Sequence, residues 1–586
     1  MRWALVAGVA AGVVGAVAVW WAGWAPPVGG AWLGGRPTRE PRAAAPRAPV
    51  APSAAPMDPP AFPPRPRMPK VPFRLPSVHR LPETAEDAAD EARRSAVLEA
   101  FVQSWDAYRD HAWGYDEYHP LSKTGSNLLG RADMPLGYTI IDALDALILM
   151  GRREEYTRAR DWVAHVDWDM DGRLNVFETT IRVLGGLLSA SALIAAPPDG
   201  GVPASPADAR MFLDKAEQLA VRLMPAFASP TGIPLREVNL RTGEAFYDTD
   251  NKNASSLAEA TTVQLELKYL AHLTGNATYW TAAERPMQHA WSSSRPPNTG
   301  VLPIFLNVQN GHFYLTDIRL GSRGDSYYEY LVKQFLQTNR TETIYLDMYQ
   351  HALDGIKERL LAAGTRTAPP LVYTQELRPA MPYGKTGWVA LRKQDHLVCF
   401  LGGTFLLGAA FNTTGALAPP RSAHGAARAT IEDWRVGHEL IRTCVDTYTA
   451  SKTGLGAEIV FFRPPHDTGA DAREWTVKRN SPAGRARGEP PKIDSRNILR
   501  PETVESLFIA FQLTGDPLYR EWGWQIFEAF RRWCSVRGGR DGFAGIDDVD
   551  ADGPLQIDRM ETFWLSETLK YLYLLFSPRD LLPFDK

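Results

Sequence analysis

From residue 85 onward, apolar side chains recur at three-and-four spacing. The stretches AEDAADEARRSAVLEAFVQSWDAYRDHAW, LGYTIIDALDALILM, IRVLGGLLSASALIAA, ADARMFLDKAEQLAVRLMPAF and VESLFIAFQLTG all show it. That period is the mark of one buried helix face, and strand-like alternation is sparse, so the body is read as all-α. Four helices run into a small polar or glycine turn with a tyrosine soon after: MGRREEY at 150–156, LTGNATY at 273–279, QTNRTETIY at 337–345 and LTGDPLY at 513–519. The recurrence predicts antiparallel helix pairs set side by side, with Gly or Asn as the C-terminal stop. The spacing is irregular and wider than in TPR or ankyrin arrays, which favours a closed ring of hairpins over an open solenoid. Gly/Pro-rich interruptions at 195–206, 364–386 and 464–492 read as surface loops or insertions.

The first 84 residues have another texture. Ala4 to Ala25 is a run of 22 residues without a charge, enough at ~1.5 Å per residue to cross a hydrocarbon core of ~30 Å. It exceeds the apolar stretch of a cleaved signal peptide, and Pro26-Pro27 makes a poor cleavage neighbourhood, so residues 1–25 are expected to be an uncleaved anchor. Arg36, Arg39, Arg42 and Arg47 follow the run and only Arg2 precedes it, which votes against a type II orientation. Long domains translocate largely regardless of flanking charge, so a single-pass type II anchor with a luminal body remains the expectation. Residues 26–84 are rich in Pro and Ala with almost no periodicity, a stem unable to form a core. Pro63-Pro64-Arg65-Pro66 could serve as an SH3 ligand, a reading that a luminal location disfavours. Sequons at Asn253, Asn276, Asn339 and Asn412 all lie beyond the anchor, in keeping with a luminal body.

The net charge of −3 conceals a division: residues 1–82 carry ten Lys/Arg against two Asp/Glu, leaving 54 against 65 for the rest. An acidic body would repel phosphate, so a nucleic-acid partner is not expected. Instead, acids recur inside apolar or small-residue segments: Glu178 in LNVFETTIRVLGGLL, Asp325 in GSRGDSYYEYL, Glu458 in TGLGAEIVFF, Glu502 and Glu505 in LRPETVESLF, Glu561 and Glu567 in METFWLSETLKYLYLLF. Each alone could cap a helix or pair with a cation. Together, from distant parts of the chain, they predict a shared acidic pocket, suited to general acid/base hydrolysis of a glycosidic bond, to holding a hard cation, or to both.

At these segments the chain resembles glycoside hydrolase family 47, the class I α-1,2-mannosidases that trim high-mannose N-glycans. The matching blocks, in the family's order over roughly residues 95–586, include AWGYDEYHPLS, LGYTIIDALDALILMG, NVFETTIRVLGGLLSA, GDSYYEYLVKQ, DHLVCFLGGTFLLGA, TGLGAEIV, LRPETVESLF and ETFWLSETLKYLYLLFS. The resemblance implies an (α/α)7 barrel over 85–586, inverting hydrolysis and Ca²⁺ as cofactor. It implies that Glu178, Asp325, Glu458 and Glu502 are the catalytic acids, with Glu178 assigned as general acid and Glu502 as general base. Arg323, His396, Arg500 and Phe563 match pocket residues that hold the sugar or metal-bound waters, and Glu502, Glu505, Glu561 and Glu567 those that support calcium through water. Arg323 falls where subclasses differ in mannose-branch preference, and an arginine there resembles the endoplasmic-reticulum type.

Cys399 and Cys444 match the family's disulfide positions, and Cys534 is left over as a buried thiol. Leu401-Gly402-Gly403-Thr404 departs from the family, which usually has Pro after Leu, and Thr562 replaces the usual Ser. The family continues beyond a segment like that ending at Lys586 to a threonine that binds Ca²⁺ directly; without it, calcium would rest on water contacts alone. The expectation is a monomeric, membrane-anchored mannosidase of the endoplasmic reticulum or Golgi lumen. The alternative is a mannosidase-like lectin of glycoprotein quality control with little turnover.

Overall fold

The computed structural model describes residues 86–582, apart from 132, 295–299, 381–386, 415–427, 468, 470, 482, 483 and 485–488. The anchor and stem expected at 1–25 and 26–84 lie outside the described residues.

The chain is mostly helical, and its helices pack in consecutive pairs. Leu144–Leu149 packs on Arg153–His165, Gly185–Ala195 on Pro206–Leu223, Gln264–Thr274 on Ala277–Ser294, and Asp325–Gln337 on Thr343–Gly355. Phe400–Thr414 packs on Arg428–Thr449, Glu502–Thr514 on Pro517–Trp533, and Leu569–Phe576 on Glu86–Ala112, the first helix described. All four turns marked in the sequence join such pairs. The chain reverses through left-handed residues Gly151, Gly275 and Gly515 at three of them and through Asn339 and Arg340 at the fourth. Their tyrosines, Tyr156, Tyr279, Tyr345 and Tyr519, are all buried at the start of the second helix.

The first helix of a pair carries mainly apolar, aromatic or small residues and is largely buried. Every residue of Glu502–Thr514 and of Leu569–Phe576 is buried. Each buried Leu, Ile or Phe there contributes about 1.5–3 kcal/mol. These inner helices also touch one another in chain order, from Leu144–Leu149 through to Leu569–Phe576, and Leu144–Leu149 meets the π-helical turn Trp564–Thr568. The second helices are amphipathic, with one face on the inner layer and the other in water.

Gly402 and Gly403 show why small residues sit at one such crossing. A Cβ on Gly402 would lie 2.5 Å from Ile441, and one on Gly403 would lie 2.9 Å from Ile509. The pair therefore lets Phe400–Thr414 press against both Arg428–Thr449 and Glu502–Thr514. Cys399, just before that helix, forms a disulfide with Cys444, Cα atoms 5.8 Å apart, and Cys534 is free and buried.

Strands are confined to short antiparallel pairings. Arg173–Asn175 pairs with Glu237–Asn239, Ala254–Ser256 with Phe305–Asn307, and Lys393–Asp395 with Ile459–Phe462. Each first strand leads straight into a helix start: Asn175 precedes Val176–Glu178, Ser256 precedes Leu257–Thr261, and Asp395 precedes His396–Cys399. Two segments read as loops also contain strands, Val372–Thr374 and Glu376–Pro379 in the first and Trp475–Thr476 in the second. Two to four residues are too few for alternation to register. Among the described residues one helical stretch, Val176–Ala195, is long and apolar enough to cross a membrane, and it is mostly buried within the body.

Candidate active site

Four acids stand at helix starts facing one cavity. Asn175 Oδ1 accepts the Glu178 N–H at 2.8 Å, and Ser256 Oγ accepts the Glu259 N–H at 3.2 Å. Asp325 and Glu502 are the first residues of the helices Asp325–Gln337 and Glu502–Thr514. At such ends unpaired N–H groups and the helix dipole favour negative charge. The cavity is about 320 Å³ and is lined by these four acids with Glu329, Glu567, Arg182, Arg323, Arg500, Phe563, Tyr330 and several small residues. That volume lies within the range of about 300–1,000 Å³ usual for ligand pockets.

Glu502 is held as a carboxylate. Burial pushes its pKa up, but the hydrogen bond from His396, the Arg500 guanidinium and the His396 charge outweigh it, and the net shift is downward. His396 Nδ1 lies 2.9 Å from Glu502 Oε2 and Arg500 Nη1 lies 3.8 Å from Oε1. A carboxylate only accepts, so Nδ1 carries the hydrogen. Nε2 faces the Tyr448 hydroxyl at 2.7 Å and Thr503 Oγ1 at 3.2 Å.

Asp325 goes the other way. Burial raises its pKa to about 7, opposed by the Ser326 backbone N–H and reinforced by Glu329, Glu502 and Asp395. The cavity thus contains one acid that holds a proton near neutrality and one that does not.

The remaining predicted residues divide into a lining and a supporting shell. Glu178 is partly exposed; its Oε2 accepts from Arg182 Nε at 2.9 Å and from the Tyr138 hydroxyl at 3.4 Å. Arg323 has a left-handed backbone, φ 75°, stacks on Phe305 at 5.1 Å and lies 3.9 Å from the buried Asp248. Phe563 lies between Arg182 and Arg500, 5.4 and 6.0 Å from their guanidinium carbons. Glu458, His396, Glu505 and Glu561 are not among the lining residues. Glu458 grips Arg500 through two hydrogen bonds, at 2.7 and 3.0 Å. Glu505 is buried against Lys333 at 3.1 Å, and burial raises its pKa. Glu561 is 3.3 Å from Arg559, and its pKa and that of Glu567 are also raised by burial.

The comparisons bear on this geometry directly. Residues 100–586 match Glycosyl hydrolase family 47. The chain belongs to that family. It is 41% identical over 501 residues to a mannosyl-oligosaccharide 1,2-alpha-mannosidase of Candida albicans, covering 84% of this chain and 81% of that one. It is 39% identical over 504 residues to the endoplasmic reticulum mannosyl-oligosaccharide 1,2-alpha-mannosidase of Schizosaccharomyces pombe, covering 86% and 88%. The solved alpha-1,2-mannosidase of Trichoderma reesei is similar in fold, with a TM-score of 0.69 and 27% identity over 83% of this chain and 94% of that one.

Sequence reasoning missed three residues of this family 47 site. Arg182 is largely but not fully buried and reaches Glu178, Glu567 at 3.5 Å and Asp142 at 4.0 Å. Glu259 lines the cavity and accepts the Ser256 hydroxyl at 3.0 Å. Lys333 is buried between two glutamates. For Lys333 the available signal was a lysine inside an inner helix that is otherwise largely buried, the counterpart of the one that exposed the acids.

Proposed function

We propose that this family 47 chain hydrolyses terminal α-1,2-linked mannose from high-mannose N-glycans of glycoproteins, with inversion at the anomeric carbon. The observation that carries the reading is the opposed pair in one cavity: Asp325 protonated near neutrality and Glu502 kept as a carboxylate. Inverting hydrolysis needs such a pair, one group to protonate the leaving oxygen and one to deprotonate water on the opposite face of the sugar. The names of the relatives support the same substrate.

Glu502 Oε2 is committed to His396, so Oε1 is the atom that takes the proton from the attacking water. On the acid side Glu178 is the general acid, delivering through water to the leaving oxygen, with Asp325 as the proton source beside it. Glu458 fixes Arg500, and through it one edge of Glu502. Arg323 and Phe563 offer a cation and an aromatic face to the sugar.

Calcium fits the residues present as a hydrated ion. Among the described residues no group of three or more His, Cys, Asp or Glu is arranged to hold a metal directly. Glu505 and Glu567, however, each keep a buried Oε2 without a hydrogen-bond partner. Glu502, Glu505, Glu561 and Glu567 would hold the ion's waters, and hard cations take such oxygen shells readily. When bound, the ion supplies positive charge that orients and acidifies a water near Glu502.

The inner and outer helices are proposed to close as an (α/α)7 barrel, acting as a monomer on a single-pass type II anchor in the lumen of the endoplasmic reticulum. The endoplasmic-reticulum names among the relatives support that compartment.

The test is to incubate the protein with a high-mannose N-glycan and Ca²⁺, following mannose release by chromatography and the first-formed anomer by NMR. Release of β-mannose is expected. Glycan binding without release would overturn the enzyme reading in favour of the lectin one, and α-mannose as first product would overturn inversion.

A further inference from the structure

On the helix Asp325–Gln337, Asp325, Glu329 and Lys333 follow at four-residue intervals and so share one face. Lys333 Nζ lies 2.5 Å from Glu329 Oε1 and 3.1 Å from Oε1 of Glu505, which belongs to the helix Glu502–Thr514. Glu329 is 0% exposed and Glu505 1%. In both, the other oxygen, Oε2, is buried without a hydrogen-bond partner. Glu329 also lines the cavity.

A buried triad of this kind is a poor way to gain stability, because apolar side chains of similar volume do as well or better. The arrangement does fix direction: each carboxylate is held by one oxygen and leaves the other bare. Glu505 is three residues from Glu502 on the same helix, so whatever fixes Glu505 also helps to fix that helix start and Glu502 with it.

We propose that Lys333 is a positioning residue of the hydrolytic site, holding through one oxygen each Glu329, which lines the cavity, and Glu505, which lies behind that lining on the helix that carries Glu502. The inference rests on the function proposed above. It adds a residue that touches neither the sugar nor the reacting water and acts through two glutamates.

The test uses Lys333→Met, which removes the charge at similar length, and Lys333→Gln, which keeps a donor but not the charge. Folding is read by circular dichroism, kcat and KM on an α-1,2-linked mannobiose, and Ca²⁺ affinity by calorimetry. Both folded variants should lose about 10–100-fold in kcat and in Ca²⁺ affinity, with KM within about threefold of wild type, as for loss of an outer support of a polar site. A folded variant with kcat and Ca²⁺ affinity within twofold of wild type would overturn the assignment, and so would failure of both variants to fold, which would mark Lys333 as structural. Absence of turnover by the wild type would count against the proposed function, and Ca²⁺ affinity would still score Lys333.

Discussion

His396 and Glu502 form a buried pair, ring Nδ1 to carboxylate Oε2 at 2.9 Å, that joins the helix start at 396 to the one at 502. One oxygen of Glu502 is occupied by this bond and the other left for chemistry. Glu502→Gln should therefore lower kcat by about 10²–10⁴-fold, the usual worth of a positioned general base. Circular dichroism should be unchanged. Activity within tenfold of wild type would remove Glu502 from that role.

Asp325 predicts a pH dependence with a definite sign. Its folded pKa, about 7, lies above its ordinary 3.8. The folded state therefore holds the proton more tightly than the unfolded one, and this contribution to stability is complete below pH ~4 and lost as pH rises through about 7. Asp325→Asn should raise the melting temperature by a few degrees at pH 8 and change it little at pH 4. It should also depress turnover and remove the alkaline limb of the kcat/KM profile that falls near pH 7. A profile whose alkaline limb survives the substitution would place that proton elsewhere, with Glu178→Gln the next variant to measure.

Glu458 grips Arg500 with two hydrogen bonds, and both side chains are largely buried, at 8% and 19% exposure. Glu458→Gln should cost about 3–5 kcal/mol, the usual loss when one partner of a buried pair is removed. Arg500 is then free to turn toward Glu502, so kcat/KM should fall as well. Denaturant unfolding and steady-state kinetics on the same preparation check both parts.

The Cys399–Cys444 disulfide spans 45 residues. A loop of that length implies about 4 kcal/mol from restriction of the unfolded chain. Cys399→Ser should lower the melting temperature, and reducing agent should lower that of the wild type by a similar amount while leaving the variant unaffected.

Chelation should abolish turnover reversibly and lower the melting temperature, because a bound ion stabilises the folded state by mass action. Glu567→Gln should weaken Ca²⁺ binding in calorimetry by about tenfold or more. Turnover that survives exhaustive chelation would remove calcium from the reaction.

Much of this was legible because a carboxylate in an apolar segment is conspicuous. Glu178, Asp325 and Glu502 stood out in that way, and all three line one cavity. The turns at Gly275 and Gly515 were legible because a left-handed stop leaves a glycine in the sequence. Arg182 was not, since four residues after Glu178 it has the spacing of an ordinary surface ion pair. Nor were the long-range strand pairings that lead into Asn175 and Ser256, whose three-residue strands carry no period. The opposed titration of Asp325 and Glu502 depends on what surrounds each carboxyl in space, which no local pattern encodes.

The packing of Leu569–Phe576 on Glu86–Ala112 brings together nearly the two ends of the body. During synthesis the first helix must wait for this partner until more than 450 further residues have been made. Phe563 and Glu567 belong to the same late segment, so the site and this seam are completed together. A nascent chain should therefore show no partial activity that grows with length, only a single late step at which catalysis and resistance to proteolysis arrive together.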